Sequence, residues 1–307
     1  MDLCVMIEGQ EDVSWEDWTA IAKSCEENGI PALFRSDHYL SVFPAEGRQS
    51  LDAWATISGL AAITSTLRLG TMVSPASFRH PSILAKMVAT ADQISGGRIE
   101  PGIGAGWHQA EHDAFGFTFL PTRERMKVLE EQLEIISGLW GRPEFEFHGE
   151  YYDLAPVQAE PKPVQDPMPL IMGGNAAPKG AALAARFTSE YNTPNPTLDE
   201  VRQRRAAIEA AWKEAGRDPS TVRFSVMTGA ALGRDEGEAD DRLRLAREKA
   251  GIGDDLDYKF KGSPERVVEQ LTEWREAGVD RVMIQLLVHD DLEQIEIIGR
   301  ELSPALR

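Results

Sequence analysis

A chain of 307 residues with 42% apolar and 27% charged side chains has ordinary globular composition, and α/β barrels of this length form as one domain. Its formal net charge of −18 repels nucleic acid and anionic membrane surfaces, so neither is expected as a partner and an anionic ligand must be held by local donors. No run approaches the roughly 18 apolar residues of a membrane span, and Met1-Asp2-Leu3-Cys4 lacks the basic and apolar regions of a signal peptide; a cytoplasmic protein is expected.

The apolar run through Val5 to Glu8 reads as the first strand. Ser14-Trp15-Glu16-Asp17, a serine cap with an acidic first turn, starts a helix that runs to Asn28-Gly29. Cys4 and Cys25 fall in this strand and helix and are expected as buried free thiols with no catalytic role. Ala32 to Phe34 is the second strand, and it ends on the polar cluster Arg35-Ser36-Asp37-His38-Tyr39. A helix from Leu51 to Thr64 follows, then a third strand from Leu67 to Val73 and a helix opened by Pro81 that closes at Ser95-Gly96-Gly97. The fourth strand lies in Arg98-Ile99-Glu100-Pro101-Gly102-Ile103-Gly104-Ala105-Gly106-Trp107. Its alternating glycines bare one face for a flat ligand or a second backbone. Glu100-Pro101 is out of place in a central strand, because proline has no N–H for the ladder, and a bulge or unusual pairing is expected there.

Strand and helix have by then alternated four times, which points to βα units on a parallel sheet. An insertion over 109–169 breaks the rhythm with a helix from Thr122 to Leu139 and a small hairpin over 145–152. Leu170-Ile171-Met172 is the fifth strand and delivers Gly173-Gly174-Asn175 to an alanine-rich helix. Phe187 to Tyr191 is the sixth strand, Val222 to Ala231 the seventh and Arg281 to Leu287 the eighth. Helices over 198–215 and 236–249, one capped by Ser263-Pro264-Glu265 and one closing at Leu302 complete the pattern. Gly251 to Lys261 reads as a mobile acidic loop. The prediction is a single (β/α)8 TIM barrel over 1–307.

In such a barrel the site lies at the C-terminal ends of the strands. That rule gathers Asp37 and His38, Met72 and Val73, Gly104 to His108, Gly173-Gly174-Asn175 and Tyr191-Asn192 at one mouth. His38 is an imidazole at a strand exit beside a carboxylate: it either moves a proton or serves structure through a backbone hydrogen bond. Gly173-Gly174-Asn175 ahead of a helix fits a phosphate cradle or a plain tight turn, with Lys179, Arg186 and Arg79 as candidate charges. Gly102, Gly104 and position 107 have the spacing of a dinucleotide fingerprint, but Trp107 stands where the third glycine is needed, which disfavours a Rossmann site. His108-Gln109-Ala110-Glu111-His112 has the H-x-x-E-H form of a zinc peptidase, without a long helix or an evident third ligand, and no metal is expected.

Taken together these segments resemble the luciferase-like flavin and deazaflavin oxidoreductases, in particular the branch that uses coenzyme F420. The resemblance is carried by Ser36-Asp37-His38-Tyr39, Ser77-Phe78-Arg79-His80-Pro81, Ser95-Gly96-Gly97-Arg98, Gly102 to Trp107, Glu111 with Phe115-Gly116, Pro161-Lys162-Pro163 and Ile171-Met172-Gly173-Gly174, and it spans nearly the whole chain. It implies a barrel with insertions, usually a homodimer, with the cofactor ring over the strand ends and a non-proline cis peptide behind the ring near Met72-Val73. It implies that Asp37 contacts the deazaflavin, that Gly104, Ala105, Gly106 and Trp107 line the ring, and that Gly173, Gly174 and Asn175 take the phosphate. His38 matches the proton-transfer histidine of some members, and Met72, Val73, His112, Met172, Tyr191 and Asn192 are expected in the same cofactor site. Members that oxidise sugar phosphates carry a glutamate where this chain has Trp107, which argues against such a substrate. The expected reaction is hydride transfer between F420 and a small organic molecule. FMN-dependent monooxygenation is the nearer alternative; a zinc hydrolase on His108 and His112 and a barrel that only binds are the remoter ones.

Overall fold

The computed structural model describes residues 1–44 and 46–306. β1 (Asp2–Ile7) leads through α1 (Trp15–Glu27) to β2 (Ala32–Arg35), and α2 (Ala53–Ile63) leads to β3 (Arg68–Thr71) and the short β4 (Ser74–Pro75). After α3 (Pro81–Ser95) come β5 (Ile99–Glu100), β6 (Gly102–Gly104), α4 (Gln109–Phe115), α5 (Thr122–Gly141) and an antiparallel pair, β7 (Phe145–His148) and β8 (Asp153–Val157). The second half runs β9 (Ile171–Gly173), α6 (Pro178–Phe187), β10 (Glu190–Pro194), α7 (Leu198–Glu214), β11 (Arg223–Leu232), α8 (Glu236–Ala250), β12 (Phe260–Gly262), α9 (Pro264–Glu276), β13 (Arg281–Gln285) and α10 (Glu293–Ile297). Reciprocal capping boxes start α1 at Ser14 and Asp17 and α7 at Thr197 and Glu200, as the sequence signals of each imply. Among the described residues no helix is long and apolar enough to cross a membrane.

The sheet is parallel and closes on itself. β1 lies between β13 and β2, β2 pairs with β3, and β9, β10, β11 and β13 follow one another. The remaining pairings, β3 with β5, β4 with β6 and β6 with β9, make β3/β4 and β5/β6 two broken strands that complete a ring of eight. Cys4, Met6, Phe34, Met72, Ile171 and Met283 fill the lumen. Both cysteines are buried free thiols, and burial pushes that of Cys4 up to about 12.

Two expectations change. The helix assigned to the insertion, α5, packs between α3 and α6 and so occupies the place of the fourth barrel helix; the added parts are α4, the hairpin and the proline-rich return. The acidic 251–261 segment is folded onto the barrel, with a short 3-10 turn at Gly253–Asp255 and β12 paired to β11. Its acids face solvent, while Ile252, Leu256 and Tyr258 turn inward beside Phe43. Charge count alone hid that alternation.

The break in strands three and four explains Glu100-Pro101. Gly70 stands opposite Glu100 and Ser74 opposite Ile103, so strand three advances four residues while strand four advances three. This is a β-bulge, with one extra residue on strand three. The Met72–Val73 peptide lies in it and is cis. Across the gap the Thr71 hydroxyl replaces the ladder, donating to Gly102 O at 2.9 Å and accepting from Gly102 N at 3.2 Å. Pro101 is thus where no N–H is required, and its carbonyl accepts from Ile171 N at 2.9 Å. Glu100 points into the floor of the barrel and pairs with Arg281 at 2.5 Å and with Arg68; Arg281 also reaches Glu190 at 3.2 Å. Burial alone would raise the Glu100 pKa, but the two arginines outweigh it and hold it below the usual carboxylate range. For Glu190 burial wins and the pKa is raised.

The extra residue, Val73, is seated against glycines: a Cβ built on Gly104 would come within 2.7 Å of Val73 Cγ2, and one on Gly102 within 2.9 Å of Val73 Cγ1. Gly104→Ala therefore loses about 1–3 kcal/mol through overpacking, and the double variant Val73→Ala/Gly104→Ala recovers part of that loss in urea unfolding. Arg281→Met leaves buried Glu190 without its close partner and Glu100 with Arg68 alone, and costs about 3–5 kcal/mol at neutral pH. Because loss of the guanidinium raises both carboxyl pKa values, that deficit shrinks as the pH falls and they protonate, which thermal melts at pH 5 and pH 7.5 will resolve.

Candidate active site

Side chains at the C-terminal ends of β1, β2, β11 and β13 surround a cavity of about 680 Å³ at the barrel mouth, with Met72 and Trp107 contributing from the bulge and from the loop after β6. At its floor Glu8 accepts from Gln10 Nε2 at 2.8 Å and from Gln285 Nε2 at 2.5 Å. The Gln10 amide is itself oriented by the Ser36 hydroxyl, which donates to its oxygen.

His38 stands on the wall. Its Nδ1 lies 2.8 Å from Glu111 Oε1, and the other carboxylate oxygen accepts from Tyr39 N at 3.0 Å. Glu111 is fully buried, whereas His38 lines the cavity and its Nε2 has no hydrogen-bond partner among the described residues. The ring meets Trp107 edge-on, with centroids 5.7 Å apart, and Trp107 is 63% exposed. Burial would lower the His38 pKa; the hydrogen bond and charge of Glu111, with smaller help from Glu8 and Asp37, outweigh it and raise the group above the ordinary imidazole value. The carboxylate fixes Nδ1 as the protonated nitrogen of the neutral ring, so exchange with a ligand takes place at Nε2.

Asp37, adjacent in sequence, belongs to a different network. It is 1% exposed and absent from the cavity wall, accepting from Ser74 Oγ at 2.6 Å and from Arg79 Nη1 at 2.6 Å. Arg79 continues to Asp52 at 2.7 Å and to the Tyr39 hydroxyl at 3.0 Å. The expectation that Asp37 faces a cofactor ring gives way to a buried ionic lock between β2, β4 and the start of α2.

Three further expected cofactor contacts turn out to be supports. His112 is fully buried; its Nδ1 meets the His108 carbonyl at 2.7 Å and its Nε2 the Ser77 hydroxyl at 2.6 Å. Since a carbonyl only accepts, Nδ1 carries the proton and the Nε2 lone pair takes the hydroxyl, which leaves nothing for a metal. Glu111 is committed to His38, and among the described residues no three His, Cys, Asp or Glu side chains are grouped to hold an ion. In this arrangement neither His112 nor Glu111 is positioned as a zinc ligand. Tyr191 is buried beneath the Gly173-Gly174-Asn175 turn, where its Oη accepts from Ala176 N at 2.8 Å. Asn192 accepts from Gly174 N at 3.0 Å and donates to Ser225 at 2.9 Å. Met172 is buried under the same turn, while Gly173 borders Val73 and Asn175 is exposed. Ala105 and Gly106 lie on the far side of the bulge from the lumen, against a second cavity and Ser77 respectively.

Sequence reasoning missed Glu8, Gln285, Tyr258 and the role of Glu111. Glu8 and Gln285 had a usable signal: each is a polar residue ending an otherwise apolar strand on the side where barrels keep their sites. Glu111 was named only within the family resemblance and in a misleading metal motif, and neither pointed to its pairing with His38.

Closed parallel barrel, bulged third strand and a carboxylate-backed histidine at the mouth define an α/β barrel with a candidate active site at the C-terminal ends of its strands. Residues 4–281 match the luciferase-like monooxygenase family, and the chain belongs to it. An FMNH2-dependent dimethylsulfone monooxygenase of Pseudomonas putida is 26% identical over 333 residues, covering 97% of this chain and 90% of its own. An F420-dependent glucose-6-phosphate dehydrogenase of Microbacterium testaceum is 24% identical over 308 residues, covering 92% and 90%. The monooxygenase RslO1 of Streptomyces bottropensis has the same fold, with a TM-score of 0.87 at 21% identity and 100% of both chains covered. The protein is an oxidoreductase of this family, and the two relatives above are FMNH2-dependent and F420-dependent.

His38 should titrate above about 6.5 in an NMR experiment on the ring protons, and Glu111→Gln should move it down. Because the folded pKa is the raised one, the His38–Glu111 coupling stabilises the fold fully below about pH 6.5 and is lost as the pH rises through the folded value. The destabilisation caused by Glu111→Gln is therefore larger at pH 6 than at pH 9.

Proposed function

We propose that the chain is an F420-dependent oxidoreductase that moves a hydride between the deazaflavin and a small organic molecule. The observation that carries this reading is His38, one ring nitrogen fixed on a buried carboxylate and the other open to the cavity. Hydride delivered to a carbonyl or imine carbon leaves a heteroatom that needs one proton, and an imidazole with a raised pKa is suited to give it near neutral pH.

The residues present fit a flat ring with a phosphate tail. Met72 and Trp107 border the cavity, and Val73, next to Met72, is half-buried against Gly102 and Gly104, which have no side chains. α6 starts without a side-chain cap, so its first-turn amides are free to take an anion delivered along Gly173-Gly174-Asn175. When bound, the deazaflavin supplies the two-electron carrier carbon; the chain supplies orientation, exclusion of water and a proton at His38 Nε2.

Similarity to the dimethylsulfone monooxygenase supports a second reading, FMN-dependent monooxygenation on the same site. Anaerobic binding titrations separate the two. F420 is expected to bind and FMN to bind far more weakly; tight FMN binding without F420 binding overturns the proposal. His38→Asn should leave F420 affinity within about twofold while lowering turnover by about 10²–10⁴-fold.

A further inference from the structure

Outside the mouth cavity, three titratable side chains from three elements meet in a cluster that proton transfer at His38 does not use. Lys249 stands in the last turn of α8, His289 follows β13, and Asp17 lies in the first turn of α1. Lys249 Nζ lies 2.9 Å from His289 Nδ1, and His289 Nε2 lies 3.6 Å from Asp17 Oδ2. An ammonium only donates, so Nδ1 is the accepting nitrogen of a neutral ring and the Nε2 proton faces the carboxylate. Asp17 is itself fixed, accepting from Ser14 N at 2.9 Å and from the Ser14 hydroxyl at 2.8 Å. This is the order that activates a nucleophile: a nucleophilic atom on a base, and the base oriented by a third group.

The surroundings favour the free amine. His289 is buried, while the Lys249 side chain keeps 28% of its surface open. Burial pulls the Lys249 pKa below the ordinary ammonium value; Arg48 adds to the effect, and Asp290, Asp17 and Asp12 oppose it. His289 is lowered by burial and then by the charge of Lys249, against Asp17 and Asp290. Lys127, Lys179, Lys259 and Lys261 instead sit on carboxylates, which hold a lysine in its unreactive charged form.

We propose that Lys249 is a nucleophilic lysine modified by small activated acyl donors of the acyl phosphate class, with His289 as its base and Asp17 orienting that base. One ammonium proton passes to His289 Nδ1, the imidazolium is held by Asp17, and Nζ attacks the acyl carbon. The N–C bond forms as the bond from that carbon to the phosphate oxygen breaks. A second proton leaves nitrogen with the phosphate, and His289 returns the first to water. The product amide is uncharged, so the last turn of α8 keeps Arg247 alone of its two basic residues, directly ahead of Ile252 in the mouth wall.

Acetyl phosphate at about pH 8 is the probe, applied to the full chain, with acetylation at each lysine followed over time by peptide mass spectrometry. Exposed Lys213 is the internal reference. Lys249 should react at least about tenfold faster than Lys213, and His289→Gln should remove most of that advantage while leaving the Lys213 rate unchanged, as loss of a general base requires. Asp17→Asn should give a smaller loss in the same direction, and it carries the test should circular dichroism show that His289→Gln is unfolded. A wild-type Lys249 rate at or below that of Lys213, or an undiminished ratio of the two in a folded variant, overturns the proposal.

Discussion

One supernumerary residue in the third strand governs the mouth of this barrel. The bulge at Thr71 to Val73 breaks hydrogen bonding between strands three and four, and three consequences follow from it. The Thr71 hydroxyl must bridge the gap; Pro101 becomes tolerable because no N–H is needed opposite the bulge; and Val73 must be accommodated, which Gly102 and Gly104 do by presenting no side chain to its methyls. The glycine run is therefore first a seat for Val73.

The same economy separates Asp37 from His38. Successive residues at a strand exit point to opposite sides, and here that alternation sends one carboxylate into the Arg79 lock and the next side chain into the cavity. The lock is closed, with the Arg79 guanidinium shared by the Asp37 and Asp52 carboxylates inside the protein. The His38–Glu111 pair is open on one side only. A rigid ionic joint next to a half-satisfied dyad holds the reactive ring in one orientation without consuming its free nitrogen, which is the division of labour a proton-transfer site requires.

Much of this was legible in the residues. Strand and helix punctuation by Ser14, Pro81 and Gly96 is local chemistry, and the eightfold alternation followed from such signals. What could not be read is side-chain direction. Asp37, His112, Tyr191 and Asn192 lie at the ends of the right elements, yet their orientation depends on partners distant in sequence: Arg79, Ser77, Ala176 and Ser225. Glu111 was hidden for the opposite reason, since a local pattern with its two histidines suggested a metal while its partner lay 73 residues upstream. Tyr258 was masked by composition, three aspartates drawing attention from the apolar residues between them.

The charge distribution completes the physical picture. A chain of net charge −18 has no long-range attraction for a phosphorylated cofactor. The basic residues that might have compensated locally are committed: Arg79 to Asp37 and Asp52, and Lys179 and Arg186 both to Glu130. What is left is the uncapped first turn of α6, braced from below by Tyr191 and Asn192. Backbone amides act over a few ångströms and discriminate by position, so under the proposed reading an anion would be recognised by fit at that turn and not by the field of the molecule.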